Sequence, residues 1–164
     1  MDVLLRAVLI GIGATLVMDL WALLQKRFFN IPSLNYQLVG RWLGHMPSGK
    51  FFHHTIMQTT QVSGEKALGW TAHYAIGVVF SLIFIYLMGQ DWLEHPTFLA
   101  ALVMGIISVI APFFIMQPGF GFGLAASKTP QPNIARQRSL IAHGSYGVGI
   151  YLSAVLLQYC WPIS

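Results

Sequence analysis

Long apolar runs, separated by charged segments, dominate the chain. The first run extends from Val3 to Gln25 and is interrupted only by Arg6 and Asp19. A helix over this run would reach roughly 34 Å at about 1.5 Å per residue, which is enough to cross the core of a bilayer. Three later runs contain no charged residue. The pattern predicts four transmembrane helices, at 3–25, 70–88, 97–116 and 140–160.

The spacing of these runs favours one compact arrangement. The connection between the second and third runs is short, so these helices are expected to be antiparallel neighbours. Gly105 and Pro112 lie inside the third run, and membrane helices tolerate both residues. We predict an all-α membrane protein, a four-transmembrane-helix up-down bundle that forms a single domain over 1–164.

Composition supports a membrane protein and excludes several other classes. Hydrophobic residues make up 55% of the chain and charged residues only 9%, whereas a soluble domain carries about 25% charged residues. The formal net charge of +4 would suit a nucleic-acid binder, but the charges are concentrated between the apolar runs. We therefore expect the lipid bilayer, and no nucleic acid, as a partner.

The distribution of Lys and Arg predicts the orientation. Eight of the nine lie between the first and second or the third and fourth runs. By the positive-inside rule these connections are cytoplasmic, which places both termini outside. Trp70 and Trp21 are then expected in the inner aromatic belt, and Trp92 and Trp161 in the outer one. The eight residues are Lys26, Arg27, Arg41, Lys50, Lys66, Lys128, Arg136 and Arg138, of which the last three could alternatively hold anionic lipid head groups.

The first cytoplasmic connection, 26–69, is too long and too apolar for a plain tether. Leu34, Leu38 and Trp42 recur in it at helical spacing, and Ser33 is a candidate N-cap. This pattern predicts a short helix at about 34–43 on the inner membrane face. The alternative is that these side chains fold back over the bundle.

Polar residues of three predicted helices lie at one depth. An ionisable residue inside a span is costly and normally has a partner within the protein. Asp19, His73 and His143 lie roughly 9, 5 and 6 Å from the cytoplasmic ends of their spans at the helical rise. We therefore predict that Asp19 contacts at least one of the two imidazoles. Gln117 has a similar depth, but its direction beyond Pro112 is open.

Rows of small residues mark the same helix faces. Each polar residue shares an i, i+4 row with small residues, and such rows allow membrane helices to approach closely. Two segments, 72–78 and 142–148, also share the pattern A-H-x-x-x-G-V, which would suit two related helical hairpins. The rows are Gly11, Thr15, Asp19; Gly69, His73, Gly77, Ser81; and Ser139, His143, Gly147.

One further motif is rich in glycine. Gly119-Phe120-Gly121-Phe122-Gly123 resembles a phosphate-binding loop only superficially, because no strand is predicted before it and the spacing G-x-G-x-x-G is absent. We interpret it as a flexible return from the third span.

Four readings of the polar residues remain open, and whether the protein is an enzyme stays undecided. Asp19 can pair structurally with His73 or His143 in a scaffold or subunit protein. The three can bind a divalent metal such as Zn²⁺, Mn²⁺ or Fe²⁺, with His53 or His54 as a further ligand. The two spanning histidines can hold a b-type haem as axial ligands. The set can also titrate in a small proton-coupled transporter, which would require a homo-oligomer.

Several motifs together resemble a known family, the bacterial membrane proteins grouped as the domain of unknown function 2938. The resemblance covers almost the whole chain and implies a multi-pass protein of the bacterial inner membrane. It implies no activity or ligand. The motifs that carry it are Ile31-Pro32-Ser33-Leu34-Asn35-Tyr36, Gly40-Arg41-Trp42, Leu68-Gly69-Trp70 with His73-Tyr74, Met116-Gln117-Pro118-Gly119 and Ala126-Ser127-Lys128-Thr129-Pro130.

Overall fold

The structure is a computed structural model that describes residues 3–162, and these residues form helices and loops without a β-strand. Four helices are long and apolar enough to cross a membrane, which confirms the all-helical fold class with four spans and fits a multi-pass membrane protein. Shorter 3₁₀ turns lie at Met46–Ser48, Ile56–Gln58 and Leu124–Ala126. The helices are α1 (Val3–Phe29), α2 (Tyr36–His45), α3 (Glu65–Met88), α4 (Asp91–Glu94), α5 (Phe98–Ile107), α6 (Gln117–Gly119) and α7 (Pro132–Cys160).

All four spanning helices are longer than their apolar runs predicted. Helix α1 continues to Phe29, with Lys26 and Arg27 in its last turn, where basic side chains interact favourably with the helix dipole. Helix α7 begins at Pro132, and proline is well suited to a first helical position. A charged residue ends an apolar run without ending the helix, so hydropathy located the spans better than their ends.

The third span runs from Phe98 to Gly119 and is irregular in the middle. Pro112 has no N–H group to continue the α-helical ladder. The chain forms a π-helical stretch at Pro112–Met116 before α6. Such a bulge accommodates the proline without ending the span.

The chain folds as two compact units. The first unit comprises the described residues up to Ser33, the segment Tyr74–Ser108 and the residues from Ile141. The second unit comprises Leu34–His73 and Val109–Leu140. The expectation of a single domain over 1–164 stays a prediction.

Small residues bring the helices of the first unit together. A Cβ atom added to Gly11 of α1 would lie 2.6 Å from Cα of Val78 on α3. One added to Gly147 of α7 would lie 2.8 Å from the carbonyl oxygen of Ala101 on α5. These contacts confirm that the predicted rows lie at helix interfaces. The backbones approach so closely that a methyl group would not fit.

Trp92 packs inside the first unit. Its side chain is buried, its Nε1 donates a hydrogen bond to Oγ1 of Thr97 at 3.1 Å, and its ring packs edge-on against Phe84. The short helix α4 contains this residue and buries both Trp92 and its neighbour Leu93. The expectation that Trp92 forms part of the outer belt stays a prediction, and its side chain is enclosed by protein.

Helix α2 belongs to the second unit and packs on the first turns of α3. Asn35, rather than the predicted Ser33, is its N-cap, and Oδ1 of Asn35 accepts a hydrogen bond from the backbone N–H of Gln37 at 3.1 Å. A Cβ atom on Gly40 would lie only 1.8 Å from the carbonyl oxygen of Glu65. Of the two readings of this amphipathic segment, packing against the protein is the one that these contacts support.

Candidate functional site

Asp19 is held by a hydroxyl group from another helix of the first unit. The hydroxyl of Tyr74, on α3, donates a hydrogen bond to Oδ2 of Asp19 at 3.0 Å. Hydrogen bonds to a carboxylate are among the stronger ones, because the acceptor is charged. The acid of the first span therefore connects α1 to α3. The predicted contact between Asp19 and either histidine stays a prediction.

His143 is oriented by a buried serine in the same unit. Oγ of Ser108 lies 2.7 Å from Nδ1 of His143 and 2.6 Å from the carbonyl oxygen of Gly105. The carbonyl can only accept, so the single hydroxyl proton is directed to it. Nδ1 then carries the imidazole proton and donates to Ser108. This bond connects α7 to the C-terminal end of α5 and defines the plane of the ring.

His73 lies in the second unit, in an aromatic environment. Its ring stacks on Tyr36, with centroids 4.1 Å apart and an interplanar angle of 24°. Trp70 contacts the same ring edge-on, with centroids 6.0 Å apart. These contacts join α2 to α3 on the residues that carry the family resemblance.

A buried ion pair lies nearby in the second unit. The guanidinium of Arg41 donates two hydrogen bonds to the carboxylate of Glu65, from Nε at 2.9 Å and from Nη2 at 2.8 Å. Its Nη1 donates to the carbonyl oxygens of Ile56, Met57 and Thr59. The hydrogen bonds to Glu65 raise the pKa of Arg41. The pair thus ties α2 and the loop after it to the start of α3.

His53 is the most unusual titratable group of the second unit. Its Nδ1 lies 3.1 Å from Oγ1 of Thr59, while Nε2 is buried and has no hydrogen-bond partner among the residues that the structure describes. Burial lowers the pKa of His53, and the nearby charges of His45 and Lys50 lower it further. The side chain is therefore biased towards the neutral imidazole.

An open pocket of about 700 Å³ adjoins His53. It lies between the segment 52–55 and the glycine-rich turn that follows the third span. The backbone N–H of His53 donates to the carbonyl of Gly119 at 2.9 Å, and that of Ile56 donates to Phe120 at 3.0 Å. The pocket is lined by Phe52, His53, His54, Thr55, Pro118, Gly121, Gly123, Leu124, Ser127 and Lys128.

Comparison with known proteins assigns the chain to a family whose function is unknown. A family model described as a protein of unknown function (DUF2938) matches residues 8–157. The chain belongs to this family. No curated protein and no solved structure matches it. The family assignment confirms the resemblance seen in the motifs, and the chemistry has to be argued from the site itself.

The predicted ligand set divides between the two units. Asp19 and His143 belong to the first unit, whereas His73, His53 and His54 belong to the second. Across residues 3–162, no three or more His, Cys, Asp or Glu side chains form a group that could hold a metal ion. The metal site therefore stays a prediction from the sequence.

Sequence reasoning missed the partners of the polar residues. Tyr74 and Ser108 are uncharged and lie within apolar runs, so they attract no notice in a search for ionisable groups. One signal was available for Tyr74, which directly follows His73 on the helix predicted to approach Asp19. The ion pair was also missed, because Arg41 had been interpreted only as a determinant of orientation.

Proposed function

We propose that this member of the family is a scaffold or subunit protein of the membrane, in which the polar residues of the spans connect helices. The observation that carries the proposal is the hydrogen bond from Tyr74 to Asp19, at 3.0 Å. It gives the acid of the first span a partner on another span, as the cost of a charge within a membrane requires. The hydrogen bond between His143 and Ser108 repeats the arrangement on two other helices.

Stability measurements test the structural role. Tyr74→Phe removes one hydroxyl and should destabilise the protein by about 0.6 kcal/mol, with about 1.7 kcal/mol as the upper end for such bonds in membranes. In the Asp19→Asn background the same change should cost less, since the charged acceptor is gone. Tyr86→Phe is the matched control, because Tyr86 lies on the same helix and is 87% exposed. Equal effects at Tyr74 and Tyr86 would refute the connection.

The same preparations distinguish the metal and transport hypotheses. For a divalent metal site, elemental analysis of the wild-type protein should find stoichiometric metal, which His143→Ala should abolish. For a proton-coupled transporter, liposomes should show a pH-dependent flux that Asp19→Asn removes. Either result would overturn the scaffold proposal. The scaffold proposal expects no stoichiometric metal and no pH-dependent flux, and it expects His143→Ala and Asp19→Asn each to lower the stability of the protein.

We further propose that the protein lies in the bacterial inner membrane with both termini outside. The support is the concentration of Lys and Arg in two of the connections. Alkaline phosphatase fused to the C-terminus should be active, and green fluorescent protein fused there should be dark. A bright cytoplasmic fusion would reverse the orientation. A homo-oligomer would suit a subunit role, and native mass spectrometry of the purified protein tests it.

A further inference from the structure

Backbone hydrogen bonds and a close glycine contact join the two sides of the pocket in the second unit. The carbonyl of Gly119 and the N–H of His53 join its two sides, as described above. Gly121 has φ +85°, and a Cβ atom there would lie 2.1 Å from the carbonyl oxygen of His54. Only glycine fits this position, both for its backbone angle and for the space available. The glycine-rich segment is therefore a tightly packed turn, which its interpretation as a flexible return did not anticipate.

Donor groups dominate the polar lining of this pocket. Lys128 supplies an ammonium group, His53 and His54 supply imidazoles, and Thr55 and Ser127 supply hydroxyls. No carboxylate is among the lining residues. An ammonium group has three donors and no acceptor, and hydroxyls and imidazoles can also donate. The lining thus complements a ligand that carries negative charge and several acceptor oxygens.

The net positive charge of the second unit also favours a negatively charged ligand. Its one acid, Glu65, is already paired with Arg41. The other basic side chains in it therefore have no acid of their own unit to balance them. An excess of one sign around a concave site raises the local concentration of the opposite ion. These uncompensated residues are Lys50, Lys66, Lys128, Arg136 and Arg138.

The neighbours of His53 determine which of its ring nitrogens carries the proton. Its Nε2 is buried and has no hydrogen-bond partner among the described residues. The hydroxyl of Thr59 donates to the carbonyl oxygen of Thr55 at 3.2 Å and lies 3.1 Å from Nδ1 of His53. Because the carbonyl can only accept, the hydroxyl proton is directed to it, and Nδ1 of His53 carries the imidazole proton. Nε2 of the neutral ring is then an acceptor, and the donors of the pocket come from Lys128, Ser127, Thr55 and His54.

The backbone leading to Lys128 is strained. Ala125 and Ala126 have φ of 45° and 59°, in the left-handed region that residues with a Cβ rarely adopt. Arg136 holds the first of them, because its Nε donates to the carbonyl of Ala125 at 2.8 Å. Strain of this kind persists only where surrounding contacts enforce it, and it is concentrated at functional sites. Here it determines the positions from which Ser127 and Lys128 line the pocket.

We propose that this pocket binds the phosphate group of an anionic ligand, with Lys128 as the main cation and Ser127 as a hydrogen-bond donor. The volume exceeds what a lone ion needs, and Phe52, Pro118 and Leu124 add apolar lining. The ligand therefore carries an organic portion beside its phosphate. A lipid head group and a soluble phosphate ester share this chemistry. The site goes beyond the proposed scaffold role, which it neither requires nor contradicts.

Binding measurements on the full chain test the proposal. The protein is reconstituted in phosphatidylcholine nanodiscs and titrated with glycerol 3-phosphate by calorimetry. In a second arm, native mass spectrometry measures phosphatidylglycerol retained by protein that was purified from mixed nanodiscs. Binding in the first arm identifies a soluble source of the phosphate, and retention in the second arm alone identifies a lipid. The absence of binding in both arms would overturn the proposal.

Paired variants separate the pocket from general charge. Lys128→Gln should weaken binding roughly tenfold or more, because it removes a charged hydrogen-bond donor. Lys66→Gln should change it less than about twofold, since Lys66 is exposed in the same unit but does not line the pocket. Ser127→Ala, which leaves the charge intact, should weaken binding roughly threefold. Equal losses of affinity in the two lysine variants would show that the ligand is attracted only by surface charge, and they would overturn the proposed site. Thermal melts of all variants check that each of them folds.

Discussion

The ion pair between Arg41 and Glu65 allows the sharpest test of how the second unit is held together. Glu65→Gln keeps the shape of the side chain and removes its charge. In the wild-type protein both carboxylate oxygens accept from the guanidinium, and the two side chains are only 8% and 9% exposed. In the variant the amide oxygen can still accept one bond. The amide nitrogen, however, faces a guanidinium N–H as a second donor, and the charge of Arg41 is left buried without a counterion.

The expected magnitude follows from that uncompensated charge. Removing one partner of a buried ion pair typically costs about 3–5 kcal/mol. Arg41 keeps its hydrogen bonds to the carbonyls of Ile56, Met57 and Thr59, which partly solvate the guanidinium. We therefore expect a loss of about 3 kcal/mol, the low end of the range. Such a loss is a large fraction of the roughly 5–15 kcal/mol by which proteins are stable.

The assay is unfolding by a denaturing detergent in mixed micelles, followed by circular dichroism. Lys66→Gln is the control, because it removes a charge from the adjacent but exposed position and should change stability by less than about 0.5 kcal/mol. The double variant Arg41→Met with Glu65→Leu should recover part of the loss and not all of it, since three carbonyls then lack their donor. A loss below about 1 kcal/mol in Glu65→Gln would refute the reasoning.

Two further predictions concern other parts of the structure. The free energy of unfolding should fall as the pH drops below about 6.5. The reason is that the pKa of His53 is lowered in the folded protein, so the unfolded chain takes up a proton at a higher pH than the folded chain does. Detergent unfolding between about pH 7.5 and 5.5 should show a shallower dependence of this free energy on pH in His53→Gln. Gly147→Ala should destabilise the protein by about 1–3 kcal/mol through overpacking, since its new Cβ would lie 2.8 Å from a backbone oxygen of α5. Gly144→Ala, on the same helix, meets nothing closer than 3.7 Å and should be neutral or stabilising by up to about 1 kcal/mol in thermal melts.

The spans could be predicted because lipid leaves few alternatives to a long apolar helix. Their ends could not, as at α3, which begins at Glu65 rather than near Trp70. The predicted helix of the first connection exists at Tyr36–His45, but its cap is Asn35. Ser33 and Asn35 are both favourable N-caps, and the sequence alone does not say which side chain will reach a free N–H.

The tight turn of the second unit shows a different limit. The spacing of the glycines around Gly121 excluded a phosphate-binding motif, so the segment was interpreted as a flexible return from the third span. The structure shows instead that the turn is held by contacts with residues more than 60 positions earlier, among them the bond from His53 to Gly119. A glycine required by a close approach looks the same in sequence as a glycine in a mobile loop. Only the three-dimensional neighbour distinguishes them.

The polar residues of the spans illustrate why a charged group is easier to locate than its partner. The cost of burying Asp19 predicts that something must satisfy it, and this inference depends on one residue only. The identity of the partner depends on the rotation of two helices about their axes, and a hydroxyl hardly changes the hydropathy of its run. Tyr74 and Ser108 therefore have no signature of their own, although each makes the contact that orients an ionisable side chain. A search along the spans for hydroxyls within one turn of an ionisable residue would have found Tyr74, beside His73, but not Ser108, which meets His143 from another helix.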